Sequence, residues 1–133
     1  MTVRLPKNED ERIQDAGDVA RIMQKILLRQ NRHSRNKEYF WAIGLNVKRD
    51  IEYIELVTIG TANRNIVKPA DVFSLALQKK CVGIILCHNH PSGDLTPSDK
   101  DLQFTDAMEQ AGVIVEVRVM DHIIISEKDF RIL

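Results

Sequence analysis

Between His88 and Asp101 the chain carries two histidines, a serine and an aspartate, residue types that together can hold a metal ion. The histidines of His88-Asn89-His90 follow an apolar run, Val82 to Cys87, that reads as a strand. Alternate strand positions point to the same side, so the two imidazoles can share one ion. A third donor comes from the next element. In Thr96-Pro97-Ser98-Asp99, Thr96 reads as a helix N-cap, Pro97 as the first helical residue and Asp99 as the acidic residue three after the cap. Ser98 and Asp101 then lie three apart on one helix face. Two nitrogens and a carboxylate oxygen suit zinc, and three protein ligands leave a fourth position for water, which marks catalytic rather than structural sites. Zinc lowers the pKa of such a water to about 7. Four suited residues in a consistent strand-loop-helix context outweigh the plainer reading of a polar loop with a helix cap.

The pattern His-x-His, seven residues, Ser-x-x-Asp resembles the signature of the JAB/MPN (JAMM) metalloprotease-like fold. The longer string HNHPSGDLTPSDKD, with Asp121-His122-Ile123-Ile124-Ile125 downstream, is similar to the RadC family within that fold. Gly60-Thr61-Ala62-Asn63 and Pro69-Ala70-Asp71-Val72-Phe73 upstream are similar to further blocks of the same family. The resemblance runs from about Tyr39 to the C-terminus. It implies a zinc ion on His88, His90 and Asp101, and a glutamate on an upstream strand that assists the water.

Glu55 is the glutamate the sequence offers for that role. Strict alternation in Ile51 to Ile59 puts Glu55 on a face with Ile51, Tyr53, Val57 and Ile59, and its interval to Gly60 matches the family's. Both faces of this strand are largely apolar, which implies cover on both sides and a desolvated carboxylate of raised pKa. The plainer reading is a glutamate on a poorly covered edge. Ser98 has two readings as well: a hydroxyl that steadies the tetrahedral oxygen, as the resemblance implies, or a first-turn serine serving free backbone groups. His122 either lines the site, as the family's Asp-His block implies, or is a strand-end histidine with a local hydrogen bond.

The elements that must position these residues follow from periodicity. Residues 1–17 read as a charged, extended arm and 18–133 as one domain. Asp18 precedes Val19, Ile22, Met23, Ile26 and Leu27, an apolar stripe at helical spacing. The basic run Arg29 to Lys37 suits a helix C-terminus and a solvated loop, or a phosphate. Tyr39–Leu45 and Ile51–Ile59 read as strands of a hairpin turning at Asn46–Asp50. Pro69 opens a helix to about Lys80, and Val82 to Cys87 is the strand that delivers His88. A helix from Pro97 to Ala111 stops at Gly112. Val113, Val115, Val117 and Val119 alternate as a half-covered strand, and His122 to Ser126 forms another. Helices alternating with strands imply an α/β architecture, which the resemblance narrows to a mixed sheet with helices on its faces, the JAB/MPN or cytidine-deaminase-like fold.

With 133 residues, 44% hydrophobic and 29% charged, the chain has the size and composition of one globular domain. No apolar span of about 20 residues and no signal peptide at Met1 are evident, so a cytoplasmic protein without membrane contact is expected. Cys81 and Cys87 are too far apart along an extended segment to bond each other. Zinc deamination is excluded by the absence of the His-x-Glu and Pro-Cys-x-x-Cys pair, and an amidohydrolase barrel by length. The expected activity is zinc-dependent hydrolysis of a peptide or isopeptide amide. The alternative is a DNA-repair-associated module, binding nucleic acid or a partner, whose metal site is not catalytic; the zero net charge and the lack of the family's helix-hairpin-helix region in Met1 to Lys37 give it little. A third possibility is an oligomerising domain using Val113 to Met120 as an exposed strand.

Overall fold

A computed structural model describes residues 1–7, 9–10, 12–60 and 67–133; the Thr61-Ala62-Asn63 block singled out in the sequence lies outside them. Nine elements follow in order: α1 (Ala16–Leu28), α2 (Arg32–Arg35), β1 (Tyr39–Leu45), β2 (Ile51–Ile59), α3 (Pro69–Gln78), β3 (Gly83–Asn89), α4 (Asp99–Val115), β4 (Arg118–Ile125) and β5 (Phe130–Ile132). The strands form one mixed sheet in the order β2-β1-β3-β4-β5, with β3 and β4 parallel and the other neighbours antiparallel. This is the α/β architecture that the sequence implies.

Two apolar cores explain why every residue of β1 and β3 is buried. Tyr39, Trp41, Ile43, Ile85, Cys87, Ile123 and Ile125 turn to one face, against Val19, Ile22, Met23, Ile26 and Leu27 of α1. Phe40, Ala42, Ile84 and Leu86 turn to the other, against Val72 and Phe73 of α3 and Phe104 and Met108 of α4. A strand covered on both faces reads as a continuous apolar run, as Val82 to Cys87 does. Cys81 and Cys87 are buried and unbonded.

The arm before α1 is pinned to the open edge of the sheet. Val3 N–H donates to Ile54 O at 2.7 Å and Leu56 N–H to Met1 O at 2.8 Å, so the backbone of Met1–Val3 takes up groups that an edge strand leaves unpaired. Glu9 pairs with Arg21 and Lys25 on α1. The cap of α1 is Asp15 rather than Asp18: Asp15 Oδ1 accepts from Asp18 N–H at 3.0 Å, while Asp18 sits in the first turn.

Helix α4 departs from expectation at both ends. Its N-cap is Ser98, not Thr96, because Ser98 and Asp101 form a reciprocal capping box that Thr96 and Asp99 do not. Its C-terminal end runs past Gly112 to Val115 and closes on Glu116 in the left-handed conformation, φ 61°. Gly112 does not stop the helix. It lets the chain return, since a Cβ there would lie 2.5 Å from Val117 O. Val113 and Ile114 are therefore helical and 79% and 82% exposed, and the valine alternation is a helix end followed by a strand. Nor is the stretch to Met120 a free edge, because β4 lies between β3 and β5.

Candidate metal centre

His88 ends β3 on the face that α4 covers, and His90 follows it on the same side beyond the strand. Their Nε2 atoms are 3.0 Å apart. Asp101 Oδ2 lies 3.5 Å from each of them. A tetrahedral ion with ligands at ~2.0–2.1 Å separates its donors by about 3.3 Å, so the triangle has the dimensions of one coordination face. The strand end supplies two corners and the first turn of α4 the third, and the sequence spacing had already joined these three residues.

The capping box aims the aspartate. Ser98 Oγ accepts from Asp101 N–H at 3.0 Å, and Asp101 Oδ2 accepts from Ser98 N–H at 3.0 Å. The carboxylate oxygen that caps the helix is thus the one that faces both histidines. Asp101 is 5% exposed. Burial alone would raise its pKa, but hydrogen bonds with His88 and His90 and from the Ser98 backbone outweigh it and hold the carboxyl far below the usual carboxylate range. The hydrogen bond with Asp101 raises His90, against the opposing effect of its own partial burial.

Proton positions follow from a chain of hydrogen bonds behind the histidines. Thr105 Oγ1 donates to Asp101 O at 2.7 Å and so meets His122 Nδ1, 2.5 Å away, as an acceptor. Neutral His122 then carries its proton on Nδ1 and presents a lone pair at Nε2, which lies 2.7 Å from His88 Nδ1. His88 accordingly is protonated at Nδ1 and bare at Nε2. His90 Nδ1 lies 2.7 Å from Asp94 O, an acceptor only, so its Nε2 is bare as well. Two lone pairs and a carboxylate oxygen converge on one point, and a cation is what satisfies them. The residues present fit a metal ion on the chemistry of this donor set. His122, 1% exposed, is the histidine behind the ligands. Spacing did not reveal it, because it reaches His88 across the β3–β4 pairing.

A further carboxylate belongs to the cluster. Glu38, His88 and His90 offer ligand atoms all within 4.8 Å of one another and form a group that could hold a metal ion. Glu38 immediately precedes β1, where Phe40 pairs with His88, and alternation turns Glu38 to the side of Phe40. Glu55 is elsewhere. It pairs with Ala42, which pairs with Leu86, so two strand spacings and two residues put its Cα about 12 Å from that of His88. Its carboxylate borders a groove with Met1, Ala70, Asp71 and Ser74, where burial raises its pKa, with Asp71 adding to that and the N-terminal ammonium opposing it. The structure brings His88, His90, Asp101 and Ser98 together, adds Glu38 and His122, and leaves Glu55 out. A pairing of Glu38 with the strand that ends in His88 was the signal available, and it needs the β1–β3 register to be known.

A three-layer α/β domain with His-x-His at a strand end and a capping aspartate on the next helix has the architecture of a JAB domain. The sequence profile of the RadC-like JAB domain matches residues 13–132, and the chain belongs to that family. Similar proteins include UPF0758 proteins of Desulforudis audaxviator, 42% identical over 71% of this chain and 41% of that one, and of Chlorobium phaeovibrioides, 38% identical over 91% and 52%. Another, from Caldanaerobacter subterraneus, is 44% identical over 76% and 43%. The chain spans about half the length of the curated relatives it matches. Among the described residues, no helix is long and apolar enough to cross a membrane.

Proposed function

We propose that this domain is a zinc-dependent hydrolase that cleaves a peptide or isopeptide amide. The observation that carries the reading is the convergence of His88 Nε2, His90 Nε2 and Asp101 Oδ2 at 3.0–3.5 Å beside the Glu38 carboxylate. His88, His90 and Asp101 would hold the ion. When bound, zinc supplies Lewis acidity for a carbonyl oxygen and makes a water nucleophilic near neutral pH. Glu38 takes the proton of the attacking water on its carboxylate and hands it to the leaving amine. Ser98 uses its oxygen as an acceptor for Asp101 N–H, which leaves its own O–H to donate to the developing oxyanion. The polypeptide approaches along a groove of about 400 Å³ bordered by His90, Pro91, Ser92, Arg32 and Lys128.

A phosphate-binding module is the second reading, and the arginines of that groove are what favour it. Against it, Arg35 is committed to Glu127 at 3.0 Å, and Glu127 and Asp129 share the groove. The deciding experiment is elemental analysis of purified protein together with hydrolysis of peptide and isopeptide libraries. Glu38→Gln is expected to keep about one zinc and lose hydrolysis by roughly 10²–10⁴-fold, whereas Glu55→Gln keeps both. Zinc-free protein from zinc-replete cells would overturn the proposal. A salt-dependent gel shift abolished by changing Arg32 and Arg35 would favour the second reading.

A further inference from the structure

We infer that Asn89, the middle residue of His88-Asn89-His90, is a positioning residue that sets the place of Glu38; this rests on the reading of Glu38 as the base. Asn89 alternates with the histidines, so its side chain leaves the opposite face of β3 from theirs. It is 1% exposed. Its Oδ1 accepts from Tyr39 N–H at 2.6 Å and its Nδ2 donates to Lys37 O at 3.0 Å. These two backbone groups flank Glu38.

The β1–β3 ladder gives this bracing its purpose. Its last pair is Phe40 with His88, and the next residues, Tyr39 and Asn89, would come opposite each other if pairing continued. The Asn89 amide instead binds the entering chain on both sides of one residue, and only one orientation of that amide satisfies an N–H and a C=O together. From the other flank, Gly60 N–H donates to Glu38 O at 2.7 Å, from a residue whose φ of +91° favours glycine. Glu38 is thus gripped through the peptide groups on either side of it, by Asn89 from β3 and by Gly60 from the end of β2. A base must stand within hydrogen-bond reach of the proton it takes, and a displacement of about 1 Å can cost ~10² in rate. The same three-residue motif therefore does two jobs: its outer members point to the ion, and its middle member fixes the carboxylate that works beside it.

The test uses the full chain with Asn89→Ala and amide hydrogen exchange read by NMR, with zinc and cobalt(II) as probes. Tyr39 and Gly60 amides are expected to exchange about tenfold faster or more, while the β3–β4 ladder keeps its protection. The zinc Kd, from chelator competition, is expected to stay within about threefold of wild type, because no ligand has been touched. The visible band of the cobalt(II) form is expected to match that of Glu38→Gln and to differ from wild type. Unchanged Gly60 exchange would overturn the inference, as would a general loss of protection or a large loss of zinc affinity, which would make Asn89 a support of the fold or of the ligands. Asn89→Ser, which keeps one hydrogen-bonding group in place, takes over if the alanine variant does not fold, and failure of both to fold also overturns it. A wild type that binds no zinc would remove the hydrolase reading, while the exchange comparison on metal-free protein still tests the clamp.

Discussion

Replacing Thr105 by valine keeps the volume and the branching at Cβ while deleting one oxygen. That oxygen accepts from His122 Nδ1 at 2.5 Å, and His122 in turn fixes the proton of His88 at 2.7 Å. Without it, the buried His122 Nδ1–H is left without its acceptor, at ~1–3 kcal/mol. The escape is for His122 to move its proton to Nε2, where it would confront the proton on His88 Nδ1. His88 must then shift its own proton to Nε2, the atom the ion needs. Either route takes a similar amount from metal binding, and at about 1.4 kcal/mol per tenfold this predicts a zinc Kd weaker by ~10–100-fold. Competition with a chromophoric chelator at neutral pH measures the affinity, and ¹⁵N spectra of the imidazoles read the tautomers. Thr105→Ser, which retains the hydroxyl, should stay within about threefold of wild type. A valine variant with unchanged zinc affinity and His122 still protonated at Nδ1 would refute the proton assignment through the whole chain.

Other substitutions probe the frame. Gly112→Ala is expected to destabilise by about 1–3 kcal/mol in urea melts, because its Cβ would meet Val117 O at 2.5 Å and a backbone atom cannot step aside cheaply; an unchanged midpoint would place the return of the chain elsewhere. Glu55→Gln carries a pH signature. Burial raises the Glu55 pKa, so its contribution to stability is present below the unfolded value of about 4.3 and lost as pH rises through the higher folded value. The variant should accordingly gain on wild type in stability as pH rises from about 4 to 7, and a flat difference in melting temperature would contradict this. For Asp101, lowered in the fold, the sign reverses: metal-free protein keeps that contribution above about pH 4 and loses it as acid is added below, so Asp101→Asn should show a flatter acid limb in thermal melts.

How much was visible in the residues depended on how local each feature is. The hairpin strands Tyr39–Leu45 and Ile51–Ile59 have the bounds that alternation and the Asn46–Asp50 turn imply. His88, His90 and Asp101 stand within fourteen residues, so strand and helix periodicity alone could bring them to one point. Glu38 is fifty residues from His88 and meets it through an antiparallel register that no short window encodes. His122 is likewise joined through a parallel pairing, in which Leu86 and not His88 is its direct neighbour. The end of α4 was hidden because valines at alternate positions satisfy a strand pattern, whereas the deciding contact is between the Gly112 backbone and Val117.

Asp101 Oδ2 also has a bearing on how the protein would acquire its ion. The oxygen takes a hydrogen bond from Ser98 N–H while facing both imidazoles, so winding the first turn of α4 and assembling the third ligand are a single event. Metal capture and order at that helix end share one free energy, and each must strengthen the other by the same factor. A chain emerging without zinc would have the site assembled before the ion arrives, and a chelator would loosen Ser98 to Asp101 before it touched the sheet. Exchange at the Asp101 amide thereby becomes a gauge of metal supply, readable with no knowledge of the substrate.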